Sequence, residues 1–160
     1  GFSKVHLMSG WRIGYIAFHD SPQLDSIREN LPKLARVRIS TNLPVQYAAL
    51  ESLRGPQDYI GKFVSEIKIH RDYVIKRLNA MNNITCYNPQ GAFYAFPKIE
   101  NNKFSSDKDF VLELLKQKGV LTVHGSGFGT QYGSDHFRIV YLPNMEILES
   151  AMNKIEDFVR

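Results

Sequence analysis

Lys4 and Arg12 stand eight positions apart among Phe2, Val5, Leu7, Met8, Trp11, Ile13 and Tyr15, side chains that favour burial. Apolar neighbours and a nearby like charge both disfavour an ammonium ion, and a lysine relieved of its proton is a nucleophile for an aldehyde. Charge and position alone also describe an ordinary surface lysine near a terminus, which is the commoner case. Arg12 sits in the string Ser9-Gly10-Trp11-Arg12-Ile13-Gly14-Tyr15. A planar guanidinium in such a turn suits a bidentate phosphate contact, and a structural ion pair is at least as common a use. Far downstream, Arg138 in "DHFRIVYLPN" carries the same planar fork, whose ordinary use is a pair with Asp135 or another acid at a sheet edge.

These groups need elements to hold them. "WRIGYIAF" reads as a short buried strand. Ser21 with Pro22 then forms the start of the helix "QLDSIRENLPKLAR", which Pro32 is expected to bend or split. "PVQYAALESL" is a second helix stopped by Gly55-Pro56. From Gln57 to about Asn82, the recurrence of Ile60, Phe63, Ile67, Val74, Leu78 and Met81 predicts one long helix. At 1.5 Å per residue it spans about 37 Å, a length suited to bridging two lobes. Two short strands are expected around Asn88-Pro89-Gln90-Gly91, then a helix capped by Ser105 or Ser106 and ended by Gly119. "VLTVH", the glycine-rich loop "GSGFGTQYGSD", the strand "HFRIVYL" and a C-terminal amphipathic helix complete the pattern. The fold class is α/β, its second half a small α+β lobe with helices on a short sheet.

Composition narrows the function. The 160 residues are 43% hydrophobic and 12% aromatic, enough for a core, and the net charge of +4 comes from scattered cations with no block of the kind a nucleic-acid arm shows. No apolar run reaches the ~18 residues of a membrane span. Cys86 is the single cysteine, which suits a reducing compartment, so cytoplasm is the expected location. His6, His19, His70, His124 and His136 lack metal-ligand spacing, and there is no Gly-x-Ser-x-Gly elbow, so neither a metal site nor a hydrolase is expected. Gly125, Gly127 and Gly129 do not form a dinucleotide fingerprint, since no helix signal follows; tight turns are their expected role.

Read as one string, Ser3-Lys4, a hydrophobic stretch and Ser9-Gly10-Trp11-Arg12-Ile13-Gly14-Tyr15 resembles the cofactor-lysine segment of class I and II pyridoxal-phosphate-dependent aminotransferases of fold type I. "DHFRIVYLPN" resembles the strand on which that family carries its carboxylate-binding arginine. "NPQGAFYAF" is similar to the family's Pro-x-Gly-Ala-Phe-Tyr strand. "VHGSGFG" is similar to its Val-x-Pro-Gly-Ser-x-Phe-Gly loop, with His124 where proline is usual. "STNLPVQYAAL" resembles the segment near the partner subunit's active site, with Thr41 or Asn42 as candidates. One departure stands at Gly1, where the family often has a phosphate-holding serine.

The resemblance implies pyridoxal 5'-phosphate as cofactor. It makes Lys4 the covalent anchor and general base, Arg12 and Ser3 phosphate-side contacts, and Arg138 the residue that grips the substrate carboxylate. It implies transfer of an amino group between an aspartate- or alanine-like amino acid and a 2-oxo acid, by a homodimer in the full-length protein. The aspartate that protonates the cofactor ring lies upstream of the lysine in the family. The chain is therefore expected to be a C-terminal portion, inactive or nearly so by itself. Residues 1–55 are then a remnant of the large cofactor-binding domain, and 56–160 the bridging helix with the small domain. A lyase or synthase of the same fold, or a non-catalytic anion-binding module, are the alternative readings.

Overall fold

Local chemistry at the chain's punctuation marks decides where the helices begin and stop. The computed structural model describes residues 1–101 and 103–160. Helix α1 is a single turn, Phe2–Val5; α2 runs Asp25–Val37 and α3 Leu43–Arg54. Gly55, followed by Pro56, ends α3, and α4 then extends over Asp58–Asn79. Helix α5, Asp107–Lys118, starts where the Ser106 hydroxyl accepts the Asp109 N–H at 3.1 Å, and it ends at Gly119, whose φ of 67° is the left-handed cap that glycine allows. After the short α6, Thr130–Gly133, helix α7 covers Met145–Val159, with the Asn144 side chain accepting from the Ile147 N–H at 3.0 Å. Among the described residues no helix is long and apolar enough to cross a membrane.

The chain forms two compact units, Gly1–Lys62 and Phe63–Arg160, parted within α4. In the first, a small core of Phe2, Met8 and Ala49, with Ile13 and Ala48 against it, ties the opening segment to α3. The expected strand over 11–18 is not formed. Those residues are irregular beyond a 3₁₀ turn at Ser9–Trp11, and all but the half-buried Ile13 are exposed. A strand needs a neighbour for its backbone groups, and the described strands all lie between 84 and 140. Pro32 does not split α2; the helix continues through it. Ser21 stands extended before a 3₁₀ turn at Pro22–Leu24, but its hydroxyl bonds the Gln23 side chain and caps no backbone N–H.

In the second unit, the faces of α4, α5 and α7 close over a small antiparallel sheet. Helix α4 buries Ile67, Val74 and Leu78 of the predicted stripe and, beside them, His70 and Ile75, while Ile60 and Phe63 are half-buried; His70 donates Nδ1–H to the Tyr141 carbonyl at 3.2 Å. Phe110 and Leu114 from α5 and Met152 and Ile155 from α7 complete an apolar interior. Burial of each such side chain contributes about 1.5–3 kcal/mol. Arg77 on α4 bridges to Asn153 and Glu156 of α7 at 2.7 and 3.0 Å.

The two expected strands flank Asn88–Gly91, but they do not pair with each other. Strand β1, Ile84–Thr85, pairs with β3, Lys98–Ile99, whereas β2, Tyr94–Ala95, pairs with β5, Phe137–Val140. Strand β4, Val123–His124, is shorter than expected and lies on the other side of β5, giving the order β2-β5-β4. Turn residues between two apolar runs fix a reversal of direction; they do not fix which strand pairs with which. The glycine-rich segment is also more ordered than expected. A 3₁₀ turn, Gly125–Phe128, runs into the one-turn α6. Gly125 and Gly133 meet backbone to backbone, so that a Cβ on either would collide with the other's carbonyl oxygen. Gly133→Ala is therefore expected to cost about 1–3 kcal/mol of stability, read as a lowered urea midpoint at unchanged slope.

Candidate active site

The first unit turns a short run of chain so that its apolar and charged groups part. Phe2 and Met8 point to the core, while Lys4 and Arg12 are exposed. The apolar surroundings expected around Lys4 are thus not provided by the first unit. Two tight reversals separate the cations: the Met8 N–H returns to the Phe2 carbonyl at 3.2 Å, and the Trp11 N–H to that of Met8 at 3.2 Å. Leu7 and Arg12 both have a φ of 55°. Left-handed backbone at a non-glycine residue costs roughly 1–2 kcal/mol, and such outliers gather at functional sites. Arg12 is oriented by its own turn, Nη1 donating to the Ser9 carbonyl at 2.9 Å. A Cβ at Gly1, Gly10 or Gly14 would meet nothing within 4 Å, so the backbone around this turn is uncrowded. Ser3 is half-buried, and Thr41 and Asn42 are exposed just before α3.

Arg138 belongs to the second unit. Strand β5 alternates: Phe137 and Ile139 enter the core while Arg138 and Val140 face the other way. The arginine sits on the middle strand, opposite Val123, and no ion pair with Asp135 or any other acid of the described residues is formed. Aromatic rings hold it. Its guanidinium carbon lies 4.7 Å from the centre of the Tyr94 ring and 4.5 Å from that of Phe128. Its Nε is buried with no hydrogen-bond partner. A buried donor left unanswered on this half-buried cation is costly, so it is a candidate place for an acceptor from elsewhere.

The turn that carries Phe128 is anchored from behind. Asp107, only 5% exposed at the start of α5, accepts the Ser126 N–H at 2.7 Å. His124 Nδ1 accepts the Gly127 N–H at 3.2 Å and lies 3.0 Å from the Ser126 hydroxyl and 3.9 Å from Asp107 Oδ2. Burial pushes the Asp107 carboxyl up, but hydrogen bonds from the Ser126 amide and hydroxyl and from its own amide outweigh it and leave the group below its ordinary 3.8. Burial raises the Cys86 thiol more than its backbone hydrogen bond from Phe96 lowers it, a setting for an inert thiol.

Sequence reasoning missed Tyr94, Phe128 and Asp107. The two aromatics stand within stretches that resemble family motifs, but nothing in their spacing says that both touch one arginine. For Asp107 the only signal was its place beside a helix cap.

Comparison with known proteins gives the chain a family. A model described as aminotransferase class I and II matches residues 1–155, and the chain belongs to that family. It is 37% identical to glutamate-pyruvate aminotransferase AlaA of Haemophilus influenzae, over 99% of this chain and 40% of the relative. It is 35% identical to an aspartate/prephenate aminotransferase of Cereibacter sphaeroides with the same coverage. Among solved structures, an alanine aminotransferase from Pyrococcus furiosus superposes with a TM-score of 0.93 at 49% identity, over 99% of this chain and 40% of that one. The chain thus spans about two fifths of the length of these relatives.

Because folded Asp107 holds its proton less tightly than an unfolded aspartate, its stabilising contribution is complete above pH 3.8 and is lost as pH falls below it through the folded value. Urea midpoints measured from pH 5 downward are expected to fall more steeply for the native chain than for Asp107→Asn, which cannot titrate there.

Proposed function

We propose that this chain supplies the cofactor-anchoring lysine, a phosphate-binding arginine and the substrate-carboxylate arginine of a pyridoxal-phosphate-dependent aminotransferase. The observation that carries the reading is Arg138, a cation gripped by two aromatic rings, without an ion pair among the described residues and with a buried donor unanswered. Membership of the family supports it, as do the names of the relatives. The residues present suit the cofactor: a primary amine on α1 and a guanidinium just past the following 3₁₀ turn, both exposed, match an aldehyde and a phosphate in chemistry.

Lys4 Nζ would hold the cofactor and, once freed by the incoming substrate amine, would take the proton from the substrate α-carbon and pass it to the cofactor's aldehyde carbon within the same half-reaction. Arg12 binds the phosphate, with Ser3 beside the anchor. Arg138 orients the carboxylate by two parallel hydrogen bonds. Pyridoxal phosphate supplies the electron sink that makes that proton removable. Residues 1–55 are assigned to a large cofactor-binding domain, and 56–160 to the bridging helix and small domain. The substrates are an alanine- or aspartate-like amino acid and a 2-oxo acid, and the working enzyme is a cytoplasmic homodimer.

The test uses the full-length protein that carries these residues. Borohydride treatment after loading with pyridoxal phosphate is expected to fix the cofactor to Lys4 and to leave none fixed in Lys4→Ala. Arg138→Leu is expected to raise KM for the amino acid by about 100-fold, the loss of two charge-assisted hydrogen bonds. Cofactor fixed to another lysine would overturn the site.

A further inference from the structure

Phe128 is 54% exposed, so burial alone does not explain why its ring stays against Arg138. The ring is placed by the turn that carries it. Gly125–Phe128 is pinned at three points: the Ser126 N–H to the buried Asp107 carboxylate, the Gly127 N–H to His124 Nδ1, and the backbone contact of Gly125 with Gly133. Phe96 meets the Phe128 ring edge to face at 6.0 Å and stacks on His136 at 5.0 Å, closing the cluster on its outer side. A guanidinium packed on rings keeps its donors in the ring-edge directions, so a shift of one ring swings the fork.

We propose that Asp107 and His124 are positioning residues for carboxylate recognition, acting through the Gly125–Phe128 turn and the Phe128 ring on the Arg138 fork. The proposal rests on the carboxylate-binding reading of Arg138. Asp107 supplies a buried acceptor that fixes the turn from beneath. His124 stands where the resembling family loop has proline: proline stiffens a turn by locking φ, whereas here a side chain acts as the cap for Gly127 and lies against Ser126. The stiffness of the turn therefore depends on two removable contacts.

The experiment compares Asp107→Ala, Asp107→Asn, His124→Ala and Arg138→Leu in the full-length, cofactor-loaded protein. Steady-state constants are measured for an amino acid and for the matching amine that lacks the carboxylate. Exchange of the Arg138 Nε–H, read by NMR with and without a non-reacting carboxylate analogue, gives a second readout independent of turnover. Asp107→Ala and His124→Ala are expected to raise KM for the amino acid by about tenfold, to change kcat little, to leave the amine unaffected and to speed Nε–H exchange. Asp107→Asn keeps an oxygen for the Ser126 N–H and is expected to restore KM to near the native value. Where Asp107→Ala does not fold, His124→Ala, at a half-buried surface position, decides the question. Equal losses for amino acid and amine, or unchanged constants in both variants while Arg138→Leu still loses carboxylate selectivity, would overturn this inference and leave the functional reading intact. No loss of selectivity in Arg138→Leu would overturn both.

Discussion

The central strand of a three-stranded sheet, Phe137–Val140, gives two faces to four consecutive residues, and the second unit depends on that division. Phe137 and Ile139 join the interior with Phe110, Leu114, Met152 and Ile155, and Tyr141 continues the same face beyond the strand. The pleat then obliges Arg138 to point the other way. Slipping the register by one residue would drive a guanidinium into the apolar interior, a cost that far exceeds any single contact in the sheet. The hydrophobic core thus decides more than stability: it fixes which face carries the cation. Helix α4 contributes to the same end through His70, whose ring donates to the Tyr141 carbonyl just after β5 and ties helix and strand together.

The first unit solves a similar problem with far less buried material. Three buried residues, Phe2, Met8 and Ala49, hold the segment that bears Lys4 and Arg12. So small a core stabilises little by area, and the geometry of the segment comes from backbone turns and short hydrogen-bonded links. Tyr59 takes part in this, its hydroxyl 3.0 Å from His6 Nδ1 and 3.4 Å from the Ser52 hydroxyl. The T-shaped contact of Phe2 with Tyr15 draws the far end of the segment back over its beginning.

What the sequence makes legible follows the range of the interactions involved. Helices are decided by neighbours three and four residues apart and by caps, so Ser106, Gly119 and Gly55 mark their ends in advance. Strands are decided by partners far along the chain. The Asn88–Gly91 turn therefore signals a reversal, but gives no sign that Tyr94 pairs with Val140 and Ile84 with Ile99. "WRIGYIAF" has a strand's composition and no strand's structure, because composition supplies a willing backbone and not a neighbour. Lys4, Arg12 and Arg138 stand out through the resemblance of their stretches to family motifs, since type and position alone leave the ordinary readings open. The Tyr94 and Phe128 rings around Arg138 come from positions 34 residues apart, and only folding reveals that they share one partner.

The two arginines are held in contrasting ways, and the proposed chemistry accounts for the contrast. Arg12 is tethered by a hydrogen bond to the Ser9 carbonyl and by a left-handed backbone, which spends one of its five donors on the protein. A phosphate that stays bound through each catalytic cycle tolerates that, since the remaining donors are engaged once and kept. A substrate carboxylate arrives and leaves in every half-reaction. An arginine serving it has to keep its orientation while its donors are empty, and a carboxylate or carbonyl of the protein in reach would compete for them at each turnover. Aromatic rings meet both conditions: they orient the guanidinium through its faces and accept nothing at its edges. The unpartnered Nε of Arg138 is, on this argument, the cost of an arginine kept ready for exchange.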